Sequence, residues 1–225
     1  MSSLAGAYLF LLGLASGITL LTLTAYRRVS PPWLKWFLVA TGLFVMSRYL
    51  TMALFTTVDA PQRWWGLRYC WFATVVGLTL PSVFAVDQLL RRPAMSPKKL
   101  LTWYAPFLAA YAAVILFGVL TPMPDRVIGW APHLSRGWQA VLSITQGIFV
   151  LGFIGGCLLV LGKISSRRLR AALLGLAVGQ GGLGLDGLVL ALGGWYFRPF
   201  LYTEMLMLLA IWYAYETSAA LSRGG

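Results

Sequence analysis

Acidic residues are scarce in this chain: six Asp and Glu among 225 residues, against eighteen Lys and Arg. Charged residues together make up only 11%, while hydrophobic ones reach 59%. Soluble domains carry roughly 25% charge, so a water-soluble fold is a poor reading. Histidine occurs once, at His133 in a polar connection. That removes bis-histidine haem ligation and histidine metal clusters. Two cysteines do not suit a bridge. Cys70 opens one apolar stretch, and Cys157 lies about 28 Å along another at the helical rise, whereas bridged Cα atoms lie under about 7 Å apart. The final apolar stretch has no lysine to carry a retinal Schiff base. P-loop, HExxH and nucleophile-elbow patterns are missing. Enzymatic activity is therefore not expected, and no metal, cofactor or catalytic residue is assigned.

What the chain does have is seven apolar stretches of about 20 residues, the length a helix needs to cross a hydrocarbon core about 30 Å thick. In lipid every backbone polar group must be satisfied within its own segment, so such stretches are helices. The expectation is an all-α, integral membrane seven-helix bundle. It forms a single domain over residues 1–225, with helices near 4–26, 34–57, 69–90, 100–120, 138–162, 171–192 and 200–221. The first stretch has no basic residue before it and no small-residue cleavage pattern after it, so it reads as a retained helix and not a signal peptide.

The net charge of +12 would ordinarily suggest nucleic acid. Here the basic residues sit at the ends of apolar stretches, where anionic headgroups favour them. The expected partner is the lipid bilayer, and nucleic acid is not expected. Twelve bases (Arg27, Arg28, Lys35, Arg91, Arg92, Lys98, Lys99, Lys163, Arg167, Arg168, Arg170 and Arg223) fall on one side. Five (Arg63, Arg68, Arg126, Arg136 and Arg198) fall on the other. The positive-inside rule then places the N-terminus outside and the C-terminus in the cytoplasm. Trp64, Trp65, Trp71, Trp130, Trp138 and Trp195 mark the outer interface, and Trp33, Trp36 and Trp103 the inner one.

Prolines lie mostly in connections or first turns, including Pro93, Pro97 and Pro199. Pro81 falls about two thirds of the way along the third stretch and is a candidate hinge. Three small-xxx-small pairs, Gly13/Gly17, Gly152/Gly156 and Gly175/Gly179, predict close helix packing. At 100° per residue Gly175, Gly179, Gly182 and Asp186 share one side of the sixth helix, which must face another helix.

Of the acidic residues, Asp59 and Asp125 fall at outer connections. Asp87 and Glu216 lie near inner helix ends, within reach of basic loops. The rest of the ionisable interior is one cation and two carboxyls. At about 1.5 Å per residue, Arg48 lies roughly 13 Å below the outer end, Asp186 roughly 9 Å, Glu204 roughly 6 Å, and Gln146 roughly 12 Å. An arginine at the bilayer centre costs about 2.5–3.5 kcal/mol on insertion scales, which selects for pairing. Arg48 is expected to face the interior and bond Asp186, Glu204 or both. These residues and Gln146 form the candidate ligand-binding or helix-coupling site. Tyr49, Gln139, Ser143, Gln180 and Tyr202 are secondary polar lining.

Helices 3 to 7 resemble the seven-helix membrane region at the N-terminus of some bacterial sensor histidine kinases. The likeness rests on Arg68-Tyr69-Cys70-Trp71 through Pro81 to Asp87, and on Ser165-Ser166-Arg167-Arg168-Leu169-Arg170 leading into a glycine-rich helix. A last helix then opens Pro199-Phe200-Leu201 and ends Trp212-Tyr213-Ala214-Tyr215. The resemblance covers about two thirds of the chain. It implies signal reception, a bacterial plasma membrane, and cytoplasmic signalling domains after the bundle. This sequence ends at Gly225, so the expectation is a sensor module with a separate cytoplasmic or membrane protein partner, a membrane region detached from such domains, or a bundle that shares only the ancient shape. A homo-oligomer is an open option.

Three functions compete at this stage. The first is a receptor-like module that receives a signal in the outer half and passes it inward. The second is a small-solute transporter of 3+1+3 design, suggested by the echo between Arg68, Asp87 and Arg91-Arg92 and Arg198, Glu216 and Arg223. The third is a non-catalytic subunit of a membrane complex.

Overall fold

The computed structural model describes residues 3–57, 61–90, 96–125, 129–191 and 201–223. Asp59, Arg91, Arg92, Pro93, Arg126, Trp195, Arg198, Pro199 and Phe200 lie outside them. Among the described residues seven α-helices are seen: α1 (Ser3–Tyr26), α2 (Pro32–Thr57), α3 (Ala73–Leu90), α4 (Pro97–Phe117), α5 (Arg136–Leu161), α6 (Arg167–Ala191) and α7 (Leu201–Arg223). The all-α expectation holds. Among the described residues, six helices are long and apolar enough to cross a membrane: α1, α2, α4, α5, α6, and α3 together with the turns before it. This is the composition of an integral membrane protein. α7 is not among the six; Glu204 and Glu216 both fall within its 23 residues.

Two local features differ from expectation. Helix α3 begins at Ala73, and a 3-10 helix covers Pro61–Phe72. The packing gives the reason. Trp65 and Trp71 both stack on Phe55 of α2, with ring centroids at 6.3 and 6.0 Å. They are six residues apart, which is two whole turns at three residues per turn, so the tighter winding puts both rings on one face. At α-helical winding they would point apart. Second, the connection after α4 contains an antiparallel hairpin, β1 (Leu120–Asp125) with β2 (Gly129–Leu134). Gly129 has φ 80°, and a Cβ there would come within 2.9 Å of Phe55 O. The hairpin therefore rests on the end of α2, where only glycine fits.

The helices alternate in direction, as named contacts show. Gly175 of α6 faces Ala210 of α7, and Gly182 faces Thr203. Gly184 meets Val150 of α5, and Gly181 meets Ile154. Arg28 after α1 pairs with Glu216 near the end of α7, and Ser218 donates to Gln88 O near the end of α3. Each helix touches its sequence neighbours, and α1 closes the ring on α7. α3 also touches α5, α6 and α7. It is the central helix: Val76 through Ser82 are buried without interruption.

The outside is apolar. Phe10, Trp103, Leu151 and Leu159 are 72%, 74%, 74% and 77% exposed. A water-facing surface does not carry such a coat, and a lipid-facing one requires it.

Prolines and glycines partly follow the sequence reading. Ser96 caps α4 by accepting from Lys99 N, and Pro97 fills the first turn, where its missing N–H costs nothing. Pro106, which the sequence reading passed over, is a second in-helix proline beside Pro81. The α6 glycines pack as expected: Gly175, Gly179 and Gly182 lie against Ala210, Met207 and Thr203. Gly13/Gly17 and Gly152/Gly156 do not. A Cβ at any of the four would meet nothing within 4 Å, because these pairs face outward.

Candidate functional site

Arg48 sits in α2 about two and a half turns before its end at Thr57. Its position on the helix turns it inward, and it is 4% exposed. Glu204, in the first turn of α7, is 1% exposed. Arg48 Nη2 lies 2.9 Å from Glu204 Oε1. Thr74 of α3 donates to the same oxygen at 3.1 Å. The Trp71 ring lies 5.7 Å from Arg48 Cζ, close enough for a cation–π contact in a dry setting. Three helices and the 3-10 segment thus converge on one buried ion pair.

Of the two carboxylates considered for Arg48, Glu204 is the one within ion-pairing distance. Asp186 is also buried, and Thr203 donates to its Oδ2. The side of α6 that carries Gly175, Gly179, Gly182 and Asp186 does face a helix, and that helix is α7.

The pair is incompletely satisfied. Arg48 Nε and Glu204 Oε2 are both buried and have no hydrogen-bond partner among the described residues. Tyr49, beside them on α2, is 1% exposed. Its hydroxyl is buried and has no hydrogen-bond partner among the described residues. An unmet buried polar group costs about 1–3 kcal/mol, and more when charged. A guanidinium has five donors and a carboxylate about four acceptor sites, so the mutual bond and the one from Thr74 leave capacity unused on both.

A second polar group occupies the middle of α3. Thr79 Oγ1 shares a hydrogen bond with Tyr104 Oη of α4 at 2.6 Å. Gln180 of α6, wholly buried, donates to Ser82 Oγ at 2.9 Å, while its Oε1 is unmatched. Tyr215 of α7 donates to Pro81 O at 3.0 Å. Pro81 has no N–H to give to the carbonyl four residues earlier, so this stretch is short of backbone bonds. Side chains from α4, α6 and α7 supply cross-links there.

The remaining sequence candidates scatter. Gln146 is half-buried on α5 and borders a crevice between α3, α4 and α5 whose walls include neither Arg48 nor Glu204. Gln139 and Ser143 are half-buried and stand outside that crevice's walls. Tyr202 is 47% exposed and faces outward, so it does not line the interior. Thr74, Ser82, Thr79 and Tyr104 were not singled out in the sequence. A hydroxyl in an apolar helix usually bonds the carbonyl one turn back, as Thr19 does to Ala15 O, so nothing in the sequence marks which ones reach across. Trp71 reads as an interfacial anchor until its ring is seen over Arg48.

Comparison with protein-family models, with curated proteins and with solved structures finds no match to this chain.

Proposed function

We propose that this chain is a receptor-like membrane module that crosses the bilayer seven times, N-terminus outside and C-terminus in the cytoplasm. It receives a signal in the outer half and passes it to a cytoplasmic partner, without catalysis. The excess of basic residues on one side supports the orientation. The resemblance to the membrane region of sensor histidine kinases supports both the function and a bacterial plasma membrane.

One observation carries the reading: the Arg48–Glu204 pair is buried, and each partner keeps an unmatched polar atom. Buried ion pairs are poor stabilisers compared with apolar packing. Ionisable groups within membrane spans are functional candidates by default. A pair with spare donors and acceptors can exchange partners at small cost, which a signal can exploit.

The route inward is physical. Glu204 begins α7, and Glu216 near its far end holds Arg28. Thr74 and Trp71 contact the pair, and farther along α3 Pro81 O is held by Tyr215 of α7. A shift at the pair therefore moves α3 against α7, with Pro81 as the hinge. Taking the packing from 1:99 to 99:1 needs about 5.5 kcal/mol of differential binding. Transport would need a path open to the pair, yet its side chains are 5% and 1% exposed.

Spin labels at positions 163 and 220, near the inner ends of α5 and α7, test the idea. Glu204→Gln is expected to change their separation by about 1–2 Å, the scale of a helix shift. An unchanged separation in a folded variant would reduce the pair to a structural clip.

A further inference from the structure

The crevice between α3, α4 and α5 has the makings of a ligand site. Its polar walls include Tyr111 of α4 and Thr145 and Gln146 of α5; Phe107, Val114 and Leu142 supply apolar surface. Tyr111 is 8% exposed, and its hydroxyl has no hydrogen-bond partner among the described residues. As it stands, the crevice leaves about 10 Å³ for water centres, close to the space of one water molecule.

Two of its walls, α4 and α5, are the least buried of the six apolar stretches. Only 17% of the apolar stretch in each of α4 and α5 is buried, against 61% for the stretch containing α3. What joins α4 to α5 at this level is a group of rings. Phe149 meets Tyr104 and Phe107 at centroid distances of 5.9 and 5.4 Å. Ring contacts can slide without breaking hydrogen bonds.

We propose that this crevice admits a slim lipophilic alcohol or phenol from the bilayer, with its hydroxyl at Tyr111 and Gln146 and its apolar body along Phe107, Val114 and Leu142. The purpose of such a site rests on the receptor reading. The chemistry follows from the walls. A hydroxyl both donates and accepts, as the Tyr111 hydroxyl and a glutamine amide require. A cation would find no carboxylate among the walls. A wholly apolar guest would leave Tyr111 unmet.

The probe is 3-azioctanol, a narrow photoreactive alcohol, applied to the full chain in lipid nanodiscs with mapping by mass spectrometry. Labelling is expected to concentrate on residues 104–114 and 142–149 and to be displaced by excess 1-octanol. Tyr111→Phe, which keeps the ring, should weaken labelling about two- to tenfold, the worth of one hydrogen bond. Leu142→Trp fills the crevice and should abolish it. Labelling spread evenly over outward residues of all helices, or unchanged in a folded Tyr111→Phe protein, overturns the proposal. Either result leaves the Arg48–Glu204 reading to its own spin-label test, so the two can fail separately.

Discussion

Removing the Glu204 carboxylate would leave the Arg48 guanidinium 4% exposed, with no acceptor in place of the oxygen now 2.9 Å away. Stranding a buried charge in this way costs about 3–5 kcal/mol, whereas replacing both partners with apolar groups is often neutral or better. Glu204→Leu alone should therefore lower the unfolding midpoint sharply, and Arg48→Met with Glu204→Leu should recover most of the loss. A double-mutant cycle in nanodiscs measures this, and a coupling above about 1 kcal/mol is expected. Purely additive losses would show that the two residues do not act as a unit. At this scale the sequence was partly legible. An arginine so deep in an apolar stretch has to find an anion, and few carboxylates lie at a compatible depth. Which one it finds depends on the rotation of each helix about its axis, and periodicity does not record that. Arg48 takes Glu204, while Asp186 takes a hydroxyl from Thr203.

Helix α3 approaches α2 so closely at Gly77 that an added Cβ would collide with Val45 Cγ2 and lie 3.2 Å from Thr41 O. At Gly179 of α6 a Cβ would lie 3.2 Å from Met207 Cα. Valine at position 45 is β-branched and has little rotamer freedom in a helix. Gly77→Ala and Gly179→Ala should each destabilise by about 1–3 kcal/mol, with Gly77→Ala the worse. Gly152→Ala and Gly156→Ala face open space and should stay within about 0.5 kcal/mol of the parent. Thermal unfolding of the four variants decides the matter, and equal losses would mean that the outward pair is packed in the membrane. The glycine spacings are the same in the sequence, and only α6 uses its set for packing. A small-xxx-small pair states that a close approach is possible, not that a neighbour is there. The helices themselves were legible to within about two to four residues, the usual precision of such boundaries. The 3-10 helix before α3 was not, because Phe55 of another helix dictates its winding.

For the molecule as a whole, the orientation depends on an asymmetry of basic residues that single-cysteine labelling can check. In a background with Cys70→Ser and Cys157→Ala, Met123→Cys in the hairpin should react with an impermeant maleimide applied to right-side-out vesicles. Lys163→Cys, beyond α5, should react only after the membrane is opened. The reverse pattern would invert the proposed topology and, with it, the direction of the signal. Met123 is 48% exposed, so poor labelling would not come from burial. The arrangement of helices around α3 has a further consequence. Because α3 touches α2, α4, α5, α6 and α7, a disturbance at its Trp71 end can reach most of the bundle. A rim helix such as α1, packed mainly against α2 and α7, has fewer to inform.

Composition and hydropathy settle a good deal without coordinates. They settle that the chain is helical, that it belongs in lipid, roughly where each helix starts and stops, and that Arg48 cannot stand alone. Those conclusions come from solvation, which acts on residues one at a time and so leaves its mark along the chain. Folding in three dimensions settles the rest: α3 at the centre, Glu204 as the partner of Arg48, Tyr202 outside, Gln146 in a separate crevice. These depend on the rotation and neighbours of rigid helices. In a bilayer, where every face is apolar, that choice is made by contacts between distant residues and not by any contrast between greasy and polar sides.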